Sequence, residues 1–285
     1  MHGTREDANR HHPVIDVDYW QNEIVPSPDE LKHGMWIDTP KRWRAMEARR
    51  RLVFEKAGHT PKGVPVDLFL WGYGFASPKK PYLTRFGGVP WREKSLPWPT
   101  SPNGSPLRFV AQLCFLDSMD IIDGPLPGDV CLIYCDEIDS MRFTIEWSSH
   151  QLREPIQSHE VPNAAGDQGF QLHAAIHRTF QYPDDEALFD ERSIYDAVWQ
   201  GTMIGRSVFM PQGGDAFVSA IATFSSILPS SNPWPLLNVL ALPVCVFPKG
   251  HSWPIEIWNY SIGDAGAVLI GRDKAGRIIV SDEGG

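Results

Sequence analysis

The sequence predicts a sheet-dominated α+β domain with a few peripheral helices, and three observations predict it. Runs of strand length and strand periodicity crowd between residues 66 and 147 and again between 217 and 280. Turn signals separate them, among them Asn103-Gly104, Pro127-Gly128 and Asp273-Lys274-Ala275-Gly276. The two halves also rhyme. Thr84 to Pro90 has an echo in Thr202 to Val208, and Phe109 to Phe115 in Phe217 to Phe224. Gly128-Asp129 and Gly263-Asp264 each lead into an apolar strand. The rhyme suggests a pseudo-symmetric pair of β-rich halves sharing one core, over roughly residues 60–165 and 166–285.

A chain of 285 residues with 42% hydrophobic and 21% charged residues builds its own core and needs no staples. Residues 1–38 are polar and read as a loosely ordered arm with flexible surface histidines, ahead of a domain at 39–285. Thr39-Pro40 opens a helix that Gly58 closes. Trp43, Met46, Val53, Phe54 and Ala57 fall on one stripe of it. Seven basic residues against two acidic ones make this helix strongly cationic. It reads as a solvated face or as a contact for a phosphate, an acidic peptide or an anionic surface.

Val66 to Phe75 is apolar on both faces and predicts a buried strand. Gly87-Gly88 ahead of Val89-Pro90 calls for unusual backbone angles. Leu107 to Leu116 is a strand interrupted by Gln112, which must lie on an open face or be satisfied inside. Pro127-Gly128 turns the chain and Asp129 to Cys135 returns. In Met141 to Trp147, apolar residues alternate with Arg142, Thr144 and Glu146, as in a half-buried strand. Phe170 to Phe180 fits a strand or a helix. Pro183 to Gln200 predicts a second helix. Phe217 to Phe224, Leu236 to Phe247, Ile255 to Tyr260, Ala267 to Gly271 and Arg277 to Val280 are the remaining strand candidates.

The motifs of common catalysis are missing. There is no G-x-S-x-G, Walker loop or Rossmann glycine pattern. Cys114, Cys131, Cys135 and Cys245 sit in apolar runs and read as buried free thiols. The acids at Asp120, Asp123, Asp136 and Glu137 lie on turns, where solvated carboxylates are expected. His173-x-x-x-His177 shares a face on a strand or a helix, but the glutamate of a zincin is absent and no third ligand is fixed. No catalytic residue, metal or cofactor is therefore assigned. The net charge of −9 argues against nucleic acid. No signal-like segment and no apolar run of membrane-spanning length is present, so a cytoplasmic location is expected. Recognition is the better reading. Arg85, Trp91, Trp98, Gln112 and Gln212 are the residue types that anchor interfaces or line pockets, although Trp91 and Trp98 also suit a simple lid on the sheet.

Gly87-Gly88-Val89-Pro90, Trp98-Pro99, Phe109 to Phe115 with Gln112, and Leu126-Pro127-Gly128-Asp129 carry a resemblance. It continues through Ile204-Gly205, Gln212 with Asp215, and Gly263-Asp264-Ala265-Gly266. In this order they resemble the YwqG-like family, a bacterial domain of unknown function, in scattered blocks over about residues 66–275. On that pattern Ala220 stands where the second half often has glutamine, and Ser230 to Pro254 looks inserted. The resemblance implies a sheet-dominated α+β fold and no established activity. It adds Gly87, Gly88, Asp215 and Asp264 to the binding candidates, though Asp264 also suits capping its own turn. Some relatives look like companions of toxin systems. The expected function is thus a non-catalytic immunity- or antitoxin-like protein that blocks a toxin partner, one with a basic surface by charge complementarity. The alternative is a small-molecule-binding or hydrolytic enzyme with its pocket at the Gly87-Gly88 turn. Oligomeric state is not legible.

Overall fold

The structure, a computed structural model, describes residues 11–12, 35–36, 40–60, 62–73, 80–136, 143–162, 171–181, 201–206, 219–225, 245–246, 255–256 and 267–283. The predicted helix at Pro183 to Gln200 and most of the Leu236 to Phe247 run lie outside them. Pro40 opens helix α1 (Pro40–Ala57), where its missing N–H costs nothing. Gly58, at φ 77°, ends it in the left-handed conformation that glycine adopts without strain. The apolar run at Val66 becomes β2 (Val64–Tyr73), and β1 (Met35–Trp36) pairs with it. The ambiguous segment at Phe170 resolves as a strand, β7 (Gln171–Gln181), which pairs with β2 from Val64↔Gln181 to Tyr73↔Leu172.

The other strands extend outward from this central pair. On one side lie β3 (Arg85–Gly87), β4 (Arg108–Cys114), β5 (Val130–Cys135) and β6 (Phe143–Ser148). On the other lie β8 (Met203–Gly205), β9 (Ser219–Ser225), β12 (Ala267–Arg272) and β13 (Ile278–Glu283). Together they form an 11-stranded sheet in the order β13-β12-β9-β8-β2-β7-β3-β4-β5-β6, with β1 off the path. A separate two-stranded ribbon joins β10 (Cys245–Val246) and β11 (Ile255–Glu256). The fold is sheet-rich α+β, as the sequence predicts.

This strand order is a palindrome. The set β7-β3-β4-β5-β6 mirrors β2-β8-β9-β12-β13, and the two meet along β2–β7. The register repeats as well. Phe86 faces Ala111 and Ala111 faces Ile133, while Ile204 faces Ala222 and Ala222 faces Ile270. Each half carries a β-bulge at the same place, Val110 in β4 and Ile221 in β9. The sequence rhyme is therefore real, but its alignment moves. Registering on the bulges sets Gln112 against Thr223 rather than Ala220, and keeps Arg85 against Met203 as in the Thr84/Thr202 echo.

The sheet curls so that its end strands β6 and β13 approach each other. Its inner face closes one core from both halves, including Phe69, Phe86, Leu113, Ile133, Phe224 and Ile270. Phe86 and Phe224 stack across it with ring centroids 6.1 Å apart. The β4–β5 connection caps one end. There Asp67 on β2, fully buried, accepts hydrogen bonds from Ser118 Oγ at 2.7 Å and from Arg178 on β7 at 2.5 and 2.8 Å. Arg178 also reaches Asp120, and Arg206 reaches Asp123 at 3.1 Å. Asp120 and Asp123 stay exposed, as expected of turn acids, and also tie this cap to both halves.

The arm is docked where it is described. The His11 and His12 backbone N–H groups both donate to the Asp117 carboxylate. His12 is buried, its Nδ1 lies 2.8 Å from Asp117, and its Nε2 accepts the Thr84 N–H. Nδ1 must then carry the proton, so the ring is neutral and fully used. The surface-histidine expectation fails for His12 because Asp117 offers an acceptor beneath the sheet end and Phe69 a flat apolar surface.

Candidate binding site

The outer face of β4 and β5 carries a second apolar layer of Phe109, Cys114, Leu132 and Tyr134. The chain that covers it leaves β3 at Gly87 (φ 68°) and Gly88 (φ 75°), two successive left-handed residues as the Gly-Gly pair predicts. This turn carries Pro90 and Trp91 over the sheet. Trp91 Nε1 donates to Ser149 O at 3.0 Å, and Trp98 Nε1 donates to Leu107 O at 2.8 Å. Trp98 stands edge-on to Tyr134, with centroids 5.7 Å apart. Both tryptophans are thus lid residues with their polar atoms satisfied.

Gln112 latches this lid. It is fully buried, its Oε1 accepts the Trp91 N–H at 2.9 Å, and its Nε2 donates to Pro81 O and Leu83 O at 2.9 and 2.8 Å. Every hydrogen bond the amide can make at that position goes to backbone, which explains a glutamine inside an apolar strand. Arg92, which sequence reasoning passed over, is the second fastener. Its guanidinium, 1% exposed, bonds Glu146 through Nε and Nη2 at 3.1 and 2.9 Å. It also donates to Leu96 O and Pro97 O and lies 5.4 Å above the Trp98 ring. The available signal was Glu146, an acid on the polar face of a strand that a tryptophan-rich loop covers.

The Gly128-Asp129 motif is structural in the same sense. Gly128 runs so close to β6 that a Cβ there would sit 2.4 Å from Ser148 O. Asp129 accepts the His150 N–H at 2.6 Å and pairs with its Nδ1. Cys114, Cys131 and Cys135 are buried free thiols, as expected. Burial raises the pKa of all three, that of Cys114 to about 12, which removes the thiolate needed for nucleophilic work. His173 and His177 both fall on β7, four positions and roughly 13 Å apart along the strand. Among the described residues, no group of three or more histidine, cysteine or acidic side chains could hold a metal.

Arg85 differs from the other candidates. Strand alternation puts it on the outer face, directly across from Gln112 on β4 and from His173 on β7. It is 8% exposed, and its Nε has no hydrogen-bond partner. Burial lowers its pKa to about 10, with no opposing charge among the described residues. Gln212, Asp215 and Asp264 lie outside the described residues, so Arg85, Gly87, Gly88, Trp91, Trp98 and Gln112 are the candidates that can be placed. All six belong to β3, its turn, the lid it starts, and the strand beneath.

A separate pocket of about 580 Å³ lies between α1 and the end of β7, lined by Arg50, Arg51, Phe54, His59 and Phe180 among others. The basic helix contributes to it, with Arg50 Nη2 donating to Phe180 O at 2.9 Å.

The described residues thus form a curled antiparallel sheet with a latched loop on its outer face. Comparison with known families matches residues 84–188 to the Domain of unknown function (DUF1963), a span that holds β3 to β7. Comparison with curated proteins gives no match. Among the described residues, no helix is long and apolar enough to cross a membrane.

Proposed function

We propose that this chain is a non-catalytic, cytoplasmic binding protein of the YwqG-like kind, most concretely an immunity- or antitoxin-like protein that occupies and blocks a toxin partner. The observation that carries the reading is how the candidate groups are used. Gln112, Trp91 and Trp98, with Arg92 beside them, are all engaged by the chain itself. They brace a rigid outer face, and a braced face binds with little ordering cost. The charge of −9 suits fast association with a basic partner. Native mass spectrometry on protein gently purified from its own cells is the test. A stoichiometric protein companion is expected, with an association rate that falls at least several-fold between low and high salt. Recovery without any companion, or an association rate unmoved by salt, would count against the toxin-blocking reading.

A second reading, a small-molecule site at the Gly87-Gly88 turn, is favoured by one observation: among the described residues Arg85 Nε has no hydrogen-bond partner. It predicts that Arg85→Ala abolishes a measurable activity or ligand affinity while the fold survives. Gln112→Ala is a poor probe of it, because that change unlatches the lid.

A further inference from the structure

Three observations isolate Arg85. First, it is a buried cation without a counter-charge among the described residues. The row that crosses the outer face reads Glu146, Leu132, Gln112, Arg85, His173, Gly72. Its one acid, Glu146, is at the far side of Gln112 and is held by Arg92. A buried guanidinium left unpaired is costly to the fold. Second, the other buried arginines hold partners through the rest of their guanidinium. Arg92 holds Glu146 and two carbonyls, and Arg50 donates to Phe180 O through Nη2 even though its Nε, like that of Arg85, has no hydrogen bond; half-buried Arg178 holds Asp67 and Asp120. Third, the molecule contains its own control. The pseudo-equivalent of Arg85 is Met203, which is fully buried. The architecture is therefore satisfied by an apolar side chain at this position and does not itself require a cation.

We propose that Arg85 is the receptor for a single carboxylate, presented to the outer face beside Gln112 by the molecule this protein binds. The proposal rests on the recognition reading above and names the chemistry at that site. A carboxylate fits better than a phosphate for two reasons. The planar guanidinium matches a planar carboxylate fork to fork. One positive charge is neutralised by one negative charge, whereas a phosphate dianion would need a second strong cation, and the row offers no lysine or other arginine. Gln112 cannot substitute as a donor, because both of its Nε2 bonds go to Pro81 O and Leu83 O. The carboxylate can come from an acidic side chain of a partner protein or from a small free acid.

The test uses the full chain and two variants, Arg85→Met, copied from the other half, and Arg85→Lys. Arg85→Met should fold with a thermal midpoint no lower than the parent. Both variants should weaken a recovered partner about 30-fold or more, because lysine keeps the charge but loses the fork. Independently of any partner, acetate should saturably shift the NMR signal of the Arg85 Nε–H group, and inorganic phosphate should do so more weakly. Acetate binding without a protein companion would assign the carboxylate to a small molecule. That outcome sinks the toxin-blocking reading while leaving Arg85 as receptor. A well-folded Arg85→Met that keeps parental partner affinity would overturn the proposal, as would an Arg85 signal indifferent to acetate. Collapse of the fold in Arg85→Met would also overturn it, since the arginine would then serve the structure.

Discussion

Gln112 and Thr223 occupy equivalent registers in the two halves and illustrate opposite uses of a buried polar atom. Gln112 spans to the lid and satisfies three backbone groups. Thr223, 2% exposed, is too short to reach a loop, and its hydroxyl has no partner. Replacing Gln112 by Leu should cost about 3 kcal/mol, because Trp91 N, Pro81 O and Leu83 O each lose a buried partner. Replacing Thr223 by Val keeps the shape and removes an unsatisfied hydroxyl, so it should stabilise by about 1 kcal/mol. Urea denaturation of the two variants checks both signs together. Equal effects would mean that the register equivalence has no energetic content. The need for a polar partner at Gln112 is legible in the sequence. Its target is not, because Pro81 and Trp91 come within reach only when the Gly87-Gly88 turn folds the chain back.

Among the elements, the β5–β6 hairpin depends on one close approach. Gly128 lies against Ser148 O, while Asp129 holds His150 and its carbonyl accepts the Phe115 N–H at 2.9 Å. Gly128→Ala should destabilise by about 1–3 kcal/mol, since the obstacle is backbone and cannot rotate away. Hydrogen exchange should accelerate first at Val130 and Ser148, which are paired at the start of the hairpin. Unchanged protection there would show that the strands can part without loss. The strands were well marked in the sequence wherever alternation was clean. In β6, Phe143, Ile145 and Trp147 pack on the core, as their spacing predicts. The segment at Phe170 was ambiguous because His173 and His177 fit either period. Pairing along the full length of β2 decided it, a contact between residues about a hundred positions apart.

The whole molecule is closed at one end by charge, and that closure gives it a pH dependence. His12 is held below its ordinary pKa of 6.5, first by burial and against the pull of Asp117. As pH falls below 6.5, the unfolded chain takes up a proton that the buried ring resists, so stability falls. For Asp117, burial alone would raise the pKa. Hydrogen bonds from His12 and His11 outweigh it and hold the carboxyl well below its ordinary 3.8. Its contribution is therefore intact above 3.8 and is lost as pH falls further. Denaturation midpoints should drop between pH 7.5 and 5.5 in the parent and drop less in His12→Gln. Equal slopes would show that His12 does not titrate with folding.

The sequence by itself determined the sheet-rich class, the helix between Pro40 and Gly58, the Gly87-Gly88 turn and the existence of two related halves. Each of these is written in local periodicity or in a residue with restricted or unusual backbone freedom. Only the tertiary structure decided that Trp91 and Trp98 are lid residues, that His12 is buried, and that Gln112 stands opposite a threonine in its mirror half. Those outcomes depend on register and on which distant groups a side chain meets. Neither is encoded in spacing along the chain, because strand pairing and the bulges at Val110 and Ile221 set the register of β4 and β9 only once their partners are in place.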